Sequence, residues 1–280
     1  MNDEALLAGI PGTSLWGLKA RADEHARPDS LFRDELALRW FKRLEPYFGG
    51  PLADWYSPVL QQAIALRTDI LDQAVSAHLQ AYPEATVLEL GAGFSTRFQR
   101  LRERVRPEQA WYELDLPEVM ELRAAMGEPP AANHWYLADS IFSSAWPGDL
   151  SGRDPRQLLL LAEGLLMYFP LARVEGLFTM LREAFAGALI AFDVMGSWNV
   201  NAARDPGSEV DAPIYWGSKS IAEACELFGL EPAGDLTLPA RLRLEPRYRQ
   251  RLRPIQRWIL SRRWLTARQG GTLLARLPSA

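Results

Sequence analysis

The sequence predicts an α/β fold in which an open parallel sheet follows a helical cap. Three observations predict it. The stretch Thr86–Arg97, T-V-L-E-L-G-A-G-F-S-T-R, runs an apolar strand into a G-x-G turn and then into helix-compatible chain. A second strand-like run, A-W-Y-E-L-D, ends at Asp115, twenty-two residues after Gly93. Acids then recur at strand-terminal positions 115, 139 and 163, about twenty-four residues apart. In an open parallel sheet, such ends lie on the one edge where ligands bind.

Gly91 and Gly93 carry no Cβ, so a ligand can approach the backbone there and meet the start of the following helix. Ser95 is placed as its N-cap, and Phe94, Phe98 and Leu101 follow at helical spacing. Glu89 precedes the turn. Asp115 is positioned to accept ribose hydroxyls, the arrangement of a Rossmann-like nucleotide site, although D-L-P-E also has the form of an N-capping box. A pyrophosphate binder wants a third glycine where this chain has Thr96. The E-L-G-A-G turn with a downstream acid therefore fits S-adenosylmethionine, which has no pyrophosphate, better than NAD or FAD.

The whole chain narrows the possibilities further. Its 280 residues, 48% hydrophobic and 24% charged, suit one α/β domain with a decorated end. A net charge of −4 gives no reason to expect nucleic acid. A single cysteine, Cys225, forms no internal disulfide and is compatible with a reducing cytoplasm. With three histidines and no C-x-x-C or H-E-x-x-H, no metal site is expected. The N-terminus carries acids where a signal peptide carries bases, and the most apolar run, Leu158–Phe169, is interrupted by Glu163. Neither export nor a membrane span is expected, and the oligomeric state is not readable.

Residues 1–83 read as helices punctuated by Pro28, Pro46, Pro51 and Pro58, forming a cap on a core of residues 84–280. The helix at about 58–81 carries Leu60, Ile64, Leu71, Val75 and His78 on one stripe, with Arg67 on the same stripe. An inward guanidinium needs an acceptor, so Arg67 either holds an anionic ligand, pairs with an acid such as Asp69 or Glu89, or snorkels to water. After the helix opened by Pro117, strands are expected at 133–139, ending at Asp139, and at 157–162, ending at Glu163. Glu163 lies within so apolar a run that it needs hydrogen bonds or a cationic partner.

A helix at 171–185 and a strand at 188–194, ending near Asp193, come next. The loop 195–216 carries Trp198, Asn199, Tyr215 and Trp216, which serve either as acceptor contacts or as core cover. A helix at 219–228 and a sixth strand about Leu236–Leu238 follow. Residues 241–268 hold ten arginines against one acid and read as a basic amphipathic helix packed by its apolar side. A last strand is expected at 272–277.

Together, R-P-D-S-L-F-R-D, A-L-R-T-D-I-L-D, V-L-E-L-G-A-G-F-S-T-R-F, W-Y-E-L-D-L-P-E-V, L-L-A-E-G-L-L-M-Y-F-P and Y-W-G resemble the leucine carboxyl methyltransferase family and its bacterial polyketide-type O-methyltransferase branch. The resemblance implies a class I methyltransferase fold with seven strands, the last antiparallel. It matches Lys19 and Arg67 to residues that hold the methionine carboxylate of S-adenosylmethionine. Glu89, Gly91 and Gly93 match the cofactor loop, and Asp115 the ribose ligand. Asp139 and Ser140 match the adenine side, and Glu163 the acid near the methionine portion. Relatives commonly read G-A-G-L-D-T-R, whereas this chain has Phe94 and Ser95.

The expected activity is S-adenosylmethionine-dependent O-methylation, forming a methyl ester on a small carboxylic acid of secondary-metabolite type. An ionised carboxylate needs no base, whereas a phenol or alcohol needs one, for which Tyr168 and Asp193 are the nearest candidates. Hydroxyl methylation is the alternative, and a binding protein without catalysis is a third reading.

Overall fold

The described residues of the computed structural model are 12–127, 131–197, 200, 213–261 and 270–278. Among the described residues four helices precede the sheet: α1 (Thr13–Ala26), α2 (Glu35–Leu44), α3 (Pro51–Trp55) and α4 (Pro58–Ala81). The longest has identifiable start signals. Ser57 accepts the amide of Leu60 as N-cap, and Pro58 supplies a preset φ at the first helical position. Asp34 likewise caps α2 through the amide of Ala37, 2.9 Å away.

The remaining elements are β1 (Thr86–Leu90), α5 (Arg97–Leu101), β2 (Ala110–Asp115), α6 (Pro117–Met126), β3 (His134–Ala138), β4 (Leu158–Ala162), α7 (Leu171–Ala184), β5 (Leu189–Met195), α8 (Ile221–Leu227), β6 (Glu231–Asp235), α9 (Leu238–Leu244), α10 (Pro246–Arg251), α11 (Pro254–Ser261) and β7 (Gly270–Arg276). The strands form a seven-stranded sheet in the order β3-β2-β1-β4-β5-β7-β6. β2 pairs in parallel with β3, β1 with β4, and β4 with β5, whereas β7 runs antiparallel to both β5 and β6. The apolar runs predicted as buried strands are buried along their length in β1 and β4.

Two compact units divide the chain: Met1–Glu84 with Gly91–Ser140, and Ala85–Leu90 with Ile141–Ala280. In the first, α1 and α2 bury Leu18, Ala37, Trp40 and Leu44 together with Phe94, Val119 and Leu122. The N-terminal helices thus share one core with the chain around the glycine turn. In the second, Phe178 stacks on Phe228 at 4.4 Å, and Phe192 packs beside both. Among the described residues no helix is long and apolar enough to cross a membrane.

Three local expectations are corrected. The sixth strand lies at Glu231–Asp235 rather than at Leu236–Leu238, where Pro239 instead opens α9. It is an edge strand with a register shift between Pro232 and Gly234, and an edge position tolerates the missing amide of Pro232. The arginine-rich segment forms three short helices over its described part, not one. Pro246 and Pro254 each force the preceding residue out of helical conformation, and Glu245 sits at φ −120°, ψ 95°. Finally, α5 begins at Arg97 with Thr96 as its N-cap residue, and Ser95 Oγ accepts the Arg97 amide at 3.3 Å from outside the helix.

Candidate functional site

The G-x-G turn lies in the first unit. Gly91 and Gly93 adopt φ of +60° and +50°, the left-handed region that favours glycine. A Cβ at Gly93 would meet nothing within 4 Å, so the backbone there faces open space. Asp115, at the end of β2, braces the turn: Oδ2 accepts the Gly93 amide at 2.6 Å and Oδ1 the Leu116 amide at 2.7 Å. Burial pushes its carboxyl above the usual range, opposed by those two amides and by Arg123. The N-cap of α6 is Leu116, with no side-chain cap, so D-L-P-E does not form the capping box its pattern suggests, and each Asp115 oxygen keeps lone pairs for a ribose hydroxyl. Asp139 follows β3, hydrogen-bonded through its amide to the Asp115 carbonyl at 3.0 Å, and its Oδ1 accepts the Ser140 amide at 2.7 Å.

These features fit S-adenosylmethionine: two left-handed glycines, open space beside Gly93, and a half-buried acid at the next strand end. Arg67 is half-buried on α4. Lys19 on α1 reaches both oxygens of Asp23 at 2.9 Å and lies 4.9 Å from the centre of the Phe41 ring and 5.1 Å from that of Tyr56. Tyr56 donates to the same Asp23 at 2.8 Å.

Several residues around the turn escaped the sequence reading. Arg123 on α6 is buried and donates to the carbonyls of Gly93 at 2.6 Å and Ser95 at 2.9 Å. Its other terminal nitrogen pairs with Glu113, fully buried in β2. Arg21 donates to the Phe94 carbonyl at 2.6 Å. Arg123 carries the same signal in the sequence as Arg67, a guanidinium on the apolar face of its helix, four residues after Val119. Asp34 and Asp72, the last residues of two family-like stretches, bind Arg97 and Arg100 behind the turn: Asp72 takes Arg97 Nε and Arg100 Nε at 2.8 Å each, and Asp34 takes Arg100 at 2.7 Å.

In the second unit, Glu89 is buried in β1, paired in register with Leu161 of β4. Glu163 follows β4 and is half-buried, and Gly164 beside it adopts φ +63°. Asp193 lies within β5, only 6% exposed, and accepts the Gly164 amide at 2.6 Å. Tyr168 ends a 3-10 turn, Leu166–Tyr168. The Tyr215 amide donates to the Met167 carbonyl at 2.9 Å, and the Trp216 indole to the Leu166 carbonyl at 2.8 Å. Trp216 is buried and Tyr215 exposed. Tyr168, Tyr215 and Trp216 thus gather at one turn, while Trp198 and Asn199 lie outside the described residues.

Comparison with known proteins gives these halves a common context. The family model for leucine carboxyl methyltransferase matches residues 14–182. The tetracenomycin polyketide synthesis O-methyltransferase TcmP of Streptomyces glaucescens is 24% identical over 204 residues, 73% of each chain. A Rhodococcus jostii protein with the provisional name S-adenosyl-L-methionine-dependent methyltransferase is 31% identical over 204 residues, 67% of each chain. The crystal structure of a DUF574-family protein from Streptomyces avermitilis shares the fold, with a TM-score of 0.59 at 18% identity, covering 81% of this chain and 88% of that one. The protein is an S-adenosylmethionine-dependent methyltransferase, and the chain belongs to the leucine carboxyl methyltransferase family.

Proposed function

We propose that the protein methylates oxygen, forming the methyl ester of a small carboxylic acid. One observation carries the choice of a carboxylate: the three histidines of the chain are all engaged in packing or structural hydrogen bonds. His25 Nδ1 accepts the Asp34 amide at 2.9 Å. His78 is buried on α4 against the Tyr82 ring, and His134 is 1% exposed and stacked on Phe98 at 4.0 Å. None is presented as a general base. The Asp193 carboxylate is buried and accepts the Gly164 amide, as a structural group would. A carboxylic acid, with a free pKa of about 4, reaches the site already ionised and needs no base.

When bound, S-adenosylmethionine supplies an electrophilic sulfonium methyl. The task of the chain is alignment in a water-poor site, which is worth up to about 7–11 kcal/mol. In this reading Gly91, Gly93, Asp115, Asp139 and Ser140 receive the nucleoside side. Lys19, Arg67, Glu89 and Glu163 receive the methionine side. Trp198, Asn199, Tyr215 and Trp216 receive the acceptor.

The name of the Streptomyces glaucescens relative supports oxygen as the nucleophile and a polyketide-like acceptor. A cytoplasmic setting is consistent with the lone, buried Cys225. The hydroxyl alternative rests on Tyr168, half-buried beside the exposed Tyr215. The test is product chemistry. Purified protein is incubated with S-adenosylmethionine and matched aromatic acids and phenols, and each methylated product is treated with mild alkali. A methyl ester releases methanol, whereas a methyl ether survives, and an alkali-stable product alone would overturn the carboxylate reading.

A further inference from the structure

We propose that Arg123, with Arg21, is a positioning device for the glycine turn, holding its peptide planes in the shape that accepts the cofactor. The inference rests on the reading of Gly91–Gly93 as the S-adenosylmethionine site. Three successive carbonyls, of Gly93, Phe94 and Ser95, each accept a hydrogen bond from a buried guanidinium. A planar trans peptide points its C=O and the next N–H to opposite sides. Anchoring these carbonyls therefore fixes the amides of Phe94, Ser95 and Thr96 on the other side. Ser95 N–H is accounted for within the turn, donating to Ala92 O at 2.8 Å.

Gly93 is held at both ends, its amide by Asp115 and its carbonyl by Arg123, each at 2.6 Å. The position of the ribose acid is thereby tied to that guanidinium through one residue. Arg123 itself has little freedom. The rings of Trp40 and Tyr136 each lie 5.3 Å from its guanidinium carbon, and Glu113 balances its charge. Arg21 is flanked by Asp34, with Nε 3.7 Å from Oδ2.

A purely stabilising role does not explain this arrangement. Two buried guanidiniums carry a desolvation cost that apolar side chains of similar volume avoid. What they add is a fork of donors with fixed geometry, and that fork is spent on the carbonyls of one turn.

The experiment compares wild type with Arg123→Met, Arg123→Lys, Arg21→Met and, as a control for general destabilisation, Leu122→Ala from the same helix. Hydrogen–deuterium exchange without ligand reads the turn over residues 91–98, and calorimetric titration reads S-adenosylmethionine affinity. We expect faster exchange confined to 91–98 and a roughly tenfold or larger loss of affinity in Arg123→Met, the scale of one charged hydrogen bond. Arg21→Met should show a smaller effect of the same kind, Arg123→Lys partial rescue, and Leu122→Ala near wild-type affinity. Unchanged exchange at 91–98, or faster exchange with wild-type affinity, would overturn the proposal. Wild type failing to bind S-adenosylmethionine would overturn the cofactor reading and the inference with it. The ligand-free exchange data tell that failure apart from a guanidinium that never held the turn.

Discussion

Asp193 accepts the amide proton of Gly164 through Oδ1 at 2.6 Å, linking the middle of β5 to the turn that presents Glu163. Gly164 is in the left-handed region, so its amide direction depends on that turn conformation. Under the carboxylate reading proposed above, the bond gives Asp193 the role of a support for the E-G turn. Asp193→Asn keeps an acceptor oxygen and is expected to retain S-adenosylmethionine affinity within a few-fold. Asp193→Ala leaves a half-buried donor without this acceptor, at up to about 1–3 kcal/mol, and should weaken binding and stability together. Titration and urea unfolding read both. An Asp193→Asn variant that binds normally but loses kcat with an altered pH profile would restore the base assignment.

The ion pairs behind the glycine turn should differ sharply in weight from those at the surface. Asp72 is 9% exposed at its side chain and receives both Arg97 and Arg100, themselves 2% and 5% exposed. Removing it by Asp72→Ala takes a shared carboxylate from two buried cations, of which Arg100 keeps Asp34, and should cost about 3–5 kcal/mol in chemical denaturation. Lys19 and Asp23, 23% and 38% exposed, are screened by water. Lys19→Met should therefore cost about 1 kcal/mol or less. Similar losses at both sites would contradict the burial argument.

The parts legible in the sequence were those with a local period. β1, β2, β4 and α4 follow from apolar runs and caps within a few residues, and the ends at Asp115 and Asp139 follow from them. β6 was displaced because an edge strand buries little and carries no alternation, with Pro232 and Gly234 inside it. The place of Arg123 on the apolar face of its helix marked it as inward, but what it holds was not legible. Its partners are thirty residues away at Gly93 and ten away at Glu113. Asp34 and Asp72 stood at the ends of recognisable stretches, yet only the fold brings them to Arg100, sixty-six and twenty-eight residues on.

Glu113 and Asp115 should respond to acid in opposite directions. Burial alone would raise the Glu113 carboxyl, but Arg123 and His134 outweigh it and hold it below the usual glutamate range. A lowered folded-state value contributes stability above the ordinary value of about 4, lost as pH falls through the folded value. Burial leaves Asp115 raised. Its contribution is present below the ordinary aspartate value and is lost as pH rises through the folded value. Glu113→Gln should destabilise by about 3–5 kcal/mol at pH 7, with the gap to wild type narrowing as pH is lowered. For Asp115→Asn, the pH-dependent part of the gap should widen in wild type's favour on acidification. Urea unfolding across pH 3 to 7 checks both, and a gap independent of pH in either variant would contradict the corresponding shift.

Two glycines with positive φ separate local conformation from close approach. Gly270, at φ +73°, opens β7 where it runs antiparallel to β5, opposite Met195. A Cβ there would stand 2.0 Å from the Val194 carbonyl oxygen and 2.5 Å from the Gly196 nitrogen. Both are backbone atoms in or beside β5, so relief requires moving the strand, and Gly270→Ala should cost more than about 3 kcal/mol. Gly93, at φ +50°, has nothing within 4 Å of the same position. Gly93→Ala should therefore carry only the left-handed penalty of about 1–2 kcal/mol. If the open space beside Gly93 receives the cofactor, its methyl group would lower S-adenosylmethionine affinity far more than it lowers stability. Gly270→Ala should show the reverse balance in whatever fraction folds. Thermal unfolding and titration on the two variants measure both quantities, and a Gly93→Ala protein that binds like wild type would remove this glycine from the site.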